Sequence, residues 1–238
     1  MIHPLDQQGV CMLPDCVTTT RRQALDLELA NVEVEGAGRR NLIFDSQFIR
    51  DFASGELAAL LKQFSPEHHF PVRALLFDKT PQTNWTVSWH QDLSIAVADR
   101  IDTPGFGGWS LKEGVWHVQP PATVLERMLT VRLHLDDCGP EHGPLRVVPG
   151  SHRLGRLDAD AIAGCRAGTP VEEILCGAGD ALVMRPLLLH ASSKATRPSR
   201  RRVLHVEFAR EDLPGDLEWA AATSPHRQPV FALAGGRS

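Results

Sequence analysis

Short apolar runs separated by Gly/Pro turns fill the chain from Arg73 to Ala209, whereas the first third has a different texture. The runs are 73-RALLFDK-79, 85-WTVSWHQD-92, 115-VWHVQ-119, 128-MLTVRLHLD-136, 145-LRVVPG-150, 181-ALVMRP-186 and 202-RVLHVEFA-209. They are rich in Val, Leu, Ile and Trp and read as strands of a sandwich or barrel. In 129-LTVRLHLD-136, Leu129, Val131, Leu133 and Leu135 fall on one face, and Thr130, Arg132, His134 and Asp136 on the other. The last run repeats this, with Leu204, Val206 and Phe208 opposite Arg201, Val203, His205 and Glu207. Two polar strand faces suit either a solvated sheet, the commoner cause, or a barrel with a wet interior. Before Arg73 the pattern turns helical. Ser46 is placed to cap 47-QFIRDFA-53, and 54-SGELAALLKQF-64 has helical apolar spacing. The expected architecture is mainly β with flanking α-helices in a single domain over 1–238. Residues 1–72 form a mostly helical part, 73–210 the β core and 211–238 a C-terminal tail.

Composition narrows the function more than the fold. A chain of 238 residues with 42% hydrophobic positions can bury most of its unfolded surface, about 70–75% at this size. A net charge of -4 offers no broad basic surface for nucleic acid. No apolar run is long enough to span a bilayer. The opening MIHPLDQQGV lacks the pattern of a signal peptide. Five scattered cysteines (Cys11, Cys16, Cys138, Cys165 and Cys176) read as free thiols. The protein is therefore expected in the cytoplasm, as a monomer or homodimer acting on a small molecule. Tyr is absent, so no phenol enters the chemistry.

The stretch 88-SWHQDLS-94 places His90 and Asp92 two residues apart. A lone His-x-Asp arises by chance in many proteins. Iron(II) with open positions is commonly held by two His and one carboxylate, so a distant His is needed. His68, His69 and His226 lie outside the strand region; His142 and His152 lie in Gly/Pro loops. His117, His134 and His205 fall within strands. His190 ends the apolar run 181-ALVMRPLLLH-190 and is followed by the small residues 191-ASS-193, which leave room for an ion. An isolated His of this kind is more often a hydrogen-bonded core residue. The basic run 197-RPSRRRV-203 reads mostly as a solvated flank. Strand alternation nevertheless puts Arg201 on the face of His205, eleven residues after His190. An interior Arg is costly without an anion, and its planar fork suits a carboxylate.

This order resembles the iron(II)/2-oxoglutarate dioxygenases of the phytanoyl-CoA dioxygenase family. The stretches 75-LLFDKTPQTNWTVSWHQD-92, 143-GPLRVVPGSHRLG-155 and 179-GDALVMRPLLLHASS-193 carry the likeness, which runs from about Leu75 to Ala209. The resemblance implies a double-stranded β-helix, or cupin-like jelly roll, with helices packed on one sheet. It implies iron bound by His90, Asp92 and His190, with 2-oxoglutarate and O2 as cosubstrates. It implies that Arg201 holds the distal carboxylate of 2-oxoglutarate and that Ser192 contacts it. Arg132 matches a position that bears a different contact in a relative. Lys79 and Asn84 either point at the cosubstrate or shape the turn 80-TPQTN-84. Related halogenases have a small residue where Asp92 stands, so hydroxylation, or a related oxidation such as desaturation, with release of succinate and CO2 is implied over halogenation. A cupin-like metal-binding protein or isomerase is the alternative, although it has no need of Arg201. Nothing reads as a CoA site.

The segment 105-GFGGWSLKEGVWHVQPP-121 reads as either a lid or a Trp-anchored hairpin. As a lid it would offer Trp109, His117 and Gln119 to the substrate.

Overall fold

The computed structural model describes residues 4–34, 36, 38–197 and 199–221. Its largest sheet has six antiparallel strands. In spatial order they are β1 (Val10–Leu13), β11 (Ala181–Met184), β8 (Leu129–His134), β13 (Arg201–Ala209), β3 (Phe70–Lys79) and β2 (Gly38–Arg39). A second sheet has the order β10 (Glu172–Ile174), β9 (Leu145–Val147), β12 (His190–Ser192) and β4 (Val87–His90). A third, three-stranded sheet has the order β5 (Ile95–Val97), β7 (Val115–Gln119) and β6 (Gly107–Lys112). The architecture is a jelly roll, mainly antiparallel β with flanking helices.

The alternation read from sequence sets which way each strand of the large sheet faces. Leu129, Val131, Leu133, Leu204, Val206 and Phe208 are buried in one apolar cluster with Ala74 and Leu76 of β3. Helices α2 (Thr19–Leu29), α3 (Leu42–Asp45), α4 (Gln47–Phe52) and α5 (Ala58–Leu61) cover that face with Leu25, Leu42, Ile49 and Leu61. Helix α4 starts where sequence places it, since the Ser46 side chain accepts from Ile49 N at 3.0 Å. Helix α1 (Pro4–Gln8) adds Leu5 to this cluster, whereas α6 (Ala122–Leu125) places Leu125 in a separate one, and α7 (Ala159–Gly168) has no buried residue. The opposite face carries Arg73, Leu75, Phe77, Arg132, Arg201, His205 and Glu207 into a cavity.

Three features depart from the sequence reading. The segment 1–72, expected to be mostly helical, also contributes two short strands absent from that reading, since β1 pairs with β11 and β2 with β3 at the two edges of the large sheet. The run 181–190 is not one strand ending in His190. It breaks after Met184, and His190 opens β12 in the other sheet. Pro186 supplies the reason: it has no N–H for a ladder, and its carbonyl instead accepts from Asp92 N at 2.9 Å. Helix α7, capped by Asp158 on Ala161 N at 2.8 Å, carried too weak an apolar period to be foreseen. Of the tail 211–238, residues 211–221 are described, with Leu213, Leu217 and Trp219 buried. The remainder, with His226, lies outside the described residues.

Candidate metal centre and active site

The pairing of β4 with β12 makes the site. His190 and His90 are direct cross-strand partners, so their rings lie 4.2 Å apart, centroid to centroid. Residues this close across a ladder project from the same face. Trp89 is sandwiched on the other side, its ring 5.4 Å from the Arg146 guanidinium and 5.2 Å from that of Arg166. That anchor turns His90 inward. Asp92 follows just beyond the end of β4, held by its backbone bond to Pro186.

Both imidazoles are oriented by backbone carbonyls. His90 Nδ1 lies 2.8 Å from the carbonyl of Ser88, and His190 Nδ1 lies 2.8 Å from that of Leu188. A carbonyl only accepts, so each Nδ1 carries the proton and each Nε2 keeps a free lone pair. Burial depresses His190 to about 4, which keeps it in the neutral, metal-binding form. Asp92 is raised by burial but lowered more by His190, His205 and His90, and it stays a carboxylate. His90 Nε2 is 3.7 Å from Asp92 Oδ1, and His190 Nε2 is 3.8 Å from Oδ2. These gaps are too long for hydrogen bonds. They suit donors around one ion, which at about 2.1 Å per ligand stand at most ~4.2 Å apart. Asp92 Oδ2 is buried without a hydrogen-bond partner. One donor atom from each of the three residues falls within 4.8 Å of the others. The donor set therefore fits a divalent metal.

Gln91, between two of these residues, was not singled out from sequence. Its amide donates to Leu187 O at 2.7 Å and Gly155 O at 2.8 Å, and it accepts from Leu157 N at 2.9 Å. It thus pins the His90–Asp92 backbone to two loops. Gln91→Leu removes three hydrogen bonds at buried groups and is expected to cost about 2–4 kcal/mol of folding stability. Urea denaturation of the metal-free protein checks this, and an unchanged midpoint would contradict it.

The opposite wall is cationic. Arg201 is 5% exposed and Arg132 is 8% exposed. Arg201 Nη1 donates to Gly143 O at 2.6 Å, and Nε is buried without a partner. Gly143 has φ +65°, and a Cβ there would meet Ser193 O at 2.4 Å, so this glycine is required where the loop passes the end of β12. Arg132 donates through Nη1 to His205 Nδ1 at 2.9 Å, and its Nε is also unpartnered. Burial, then the neighbouring Arg201, lowers Arg132 to about 10. Among the described residues neither arginine has a carboxylate within ion-pair distance. The flanking arginines differ: Arg200 pairs with Asp78 at 2.9 Å, and Arg202 with Asp136 at 2.6 Å and Asp26 at 2.7 Å.

Metal set and arginines line one cavity of about 310 Å³, together with Ser192 and the apolar Leu75, Phe77, Val87 and Leu145. That volume is at the low end for small-molecule sites. Lys79 and Asn84 do not line it. Lys79 donates to Ser193 O at 2.6 Å and stands 5.3 Å from the Trp85 ring centroid. Asn84 is engaged at both ends by Ala195, accepting from its N at 2.8 Å and donating to its O at 2.9 Å. Trp109, His117 and Gln119 also lie outside the lining. Segment 107–119 forms the hairpin β6–β7, with Trp109 edge-on to Trp116 and packed on a second apolar cluster. His117 is fully buried, its Nδ1 3.0 Å from Val115 O. From this hairpin it is Lys112 that reaches the cavity, beside Arg40, Arg73 and Glu207. Sequence placed Glu207 on a polar strand face but gave no reason to single out Arg40, Arg73 or Lys112, which come from three separate segments and meet only in the folded chain.

A jelly roll whose two sheets enclose a His-x-Asp…His donor set defines the cupin-like class of mononuclear metal proteins. The chain belongs to the phytanoyl-CoA dioxygenase family: the family model Phytanoyl-CoA dioxygenase (PhyH) matches residues 5–203. It is 28% identical over 148 residues to L-proline trans-4-hydroxylase of Streptomyces griseoviridis, covering 51% of this chain and 47% of that one. The chain thus spans about half the length of that relative. AviO1 from Streptomyces viridochromogenes Tue57 is similar in structure, with a TM-score of 0.61, 24% identity, and coverage of 90% of this chain and 95% of that one. The epimerase SnoN, solved with Fe3+, alpha ketoglutarate and nogalamycin RO, has a TM-score of 0.66 at 18% identity, covering 90% and 88%. At these identities the two structures establish the shared fold. Among the described residues no helix is long and apolar enough to cross a membrane.

Proposed function

We propose that this protein is an iron(II)/2-oxoglutarate-dependent dioxygenase that hydroxylates an unactivated C–H bond of a small molecule in the cytoplasm. One observation carries the reading: a convergent His90, Asp92, His190 set faces two buried arginines that lack a carboxylate partner. Iron(II) bound there, with 2-oxoglutarate and O2, supplies oxidation of the C–H bond with release of succinate and CO2.

The chain's own residues position and shield. His90, Asp92 and His190 would hold the metal, with the Ser88 and Leu188 carbonyls fixing both rings. Arg201, anchored on Gly143 O, would present its remaining donors to the distal carboxylate of 2-oxoglutarate. Ser192 sits on the same strand as His190 and is placed for a hydroxyl contact. Arg132, oriented by His205, would add positive charge beside the metal set. Leu75, Phe77, Val87 and Leu145 give apolar walls that exclude water from the reacting centre. Asp92 supports oxygen transfer, because a carboxylate ligand leaves no vacancy for chloride.

The name of SnoN speaks of an epimerase, so the outcome after C–H oxidation needs product analysis. Under anaerobic conditions, iron(II) and 2-oxoglutarate together are expected to give a visible charge-transfer band. In air, a metabolite panel is expected to give substrate-dependent succinate release and a product heavier by one oxygen. Intact iron binding without the band would favour the metal-binding or isomerase alternative.

A further inference from the structure

The cavity has two cationic ends. Arg201 and Arg73 occupy opposite ends of the β3–β13 ladder, since Arg201 pairs in register with Lys79 and Glu207 with Arg73. Arg201 and Glu207 are six steps apart along β13, about 20 Å of extended strand. Between them on the sheet lie His205 and its register partner Arg132, which line the cavity together with His90, Asp92 and His190. A five-carbon diacid held at Arg201 and the metal does not reach Arg73, so the second end remains for the substrate.

That end is over-supplied with positive charge. Arg73 is 8% exposed; its Nη1 bonds Glu207 Oε1 at 3.0 Å, while its Nε is buried without a partner. Glu207 is in turn 3.6 Å from His205 Nε2, so this carboxylate is already shared. Lys112 reaches in from the β6–β7 hairpin, and among the described residues no carboxylate pairs with it. Burial, then Arg73 and Arg40, lowers its ammonium below the ordinary lysine range, with Glu207 opposing them. Arg40 stands at the rim, paired outward with Glu113 at 2.9 Å.

We propose that Arg73 and Lys112 form the substrate-recognition site and that the substrate carries an anionic group, a carboxylate or a phosphate, docked between them. Glu207 is a positioning residue: it holds the Arg73 guanidinium at the cavity wall through the Nη1 hydrogen bond. This assignment rests on the dioxygenase reading and specifies its substrate class. The hairpin's contribution is a charge on a strand rather than an aromatic lid.

The test uses the full chain loaded with Ni(II) and saturating 2-oxoglutarate, so that the Arg201 end is filled. Inorganic phosphate and acetate are titrated at constant ionic strength, with the thermal midpoint and calorimetric Kd as readouts. Both anions should bind the wild type, and the tighter of the two identifies the chemistry. Lys112→Gln should weaken binding about 10-fold, and Lys112→Glu should abolish it. Lys62→Gln, which removes an exposed charge beyond α5 on the other face, should match the wild type. The paired change Arg73→Gln with Glu207→Gln should weaken binding without stranding a buried charge; should it fail to fold, the Lys112 variants decide alone. In a second arm, small acids of the class bound more tightly, carboxylic acids or phosphate monoesters, should trigger succinate release where their neutral counterparts, the primary amides or the free alcohols, do not. Equal binding by Lys112→Glu and Lys62→Gln, or equal triggering by acids and neutral counterparts, overturns the site while leaving the dioxygenase reading intact. Failure of the wild type to bind 2-oxoglutarate at all overturns both.

Discussion

Asp92→Ala is expected to abolish 2-oxoglutarate turnover and to lower affinity for a divalent metal by more than about 100-fold. Groups that merely hydrogen-bond a metal ligand are worth ~10- to 100-fold, so loss of a ligand itself costs at least the top of that range. Asp92 also supplies the only negative charge in the set. Without it two neutral imidazoles remain, a donor pair far weaker for iron(II). The fold should survive, because the side chain bridges no elements and its positioning bond is made by its backbone N to Pro186 O. Calorimetric titration with Mn(II), alongside succinate detection, checks both parts. Full turnover in the variant would remove Asp92 from the metal set. Wild-type folding of the apo-variant would show that the loss is one of ligation.

Arg201→Ala is expected to raise the 2-oxoglutarate requirement about 10- to 100-fold, the worth of a charged hydrogen bond or a bidentate pair. Metal affinity should be little changed, since Arg201 lies across the cavity from His90, Asp92 and His190. Arg201→Lys keeps a point charge but loses the planar fork, so it should fall between alanine and wild type. Arg202→Ala gives the contrast: its guanidinium is held by Asp136 and Asp26, so it should lower stability and leave the requirement unmoved. Steady-state kinetics in 2-oxoglutarate, with denaturation curves for each variant, separate the two effects. An unchanged requirement in Arg201→Ala would transfer the role to Arg132, the other buried guanidinium on that wall.

What was legible in the sequence follows from period. Alternation in 129–136 and 202–209 assigns Leu204 to the core and His205 to the cavity. The same parity separates Arg201 from Arg200 and Arg202 within a run of three. The two-residue spacing of His90 and Asp92 places both on one side of a strand end. Each of these is a local property, because the side-chain period of a strand is a property of its own backbone.

The tertiary structure decided everything that depends on which strand lies beside which. His190 stands one hundred residues from His90, and only the β4–β12 register brings their Nε2 atoms to one point. Asn84, a fair cosubstrate contact by position, is engaged by the backbone of Ala195. In the hairpin, Trp109 and His117 are used in packing while Lys112 enters the cavity. Arg73 and Glu207 lie 134 positions apart and meet only through the β3–β13 pairing. Register is set by nonlocal pairing and by the burial of whole faces. The chain's pattern therefore determined most of the strands and their faces, and the assembled sheets determined which polar side chains meet in the cavity.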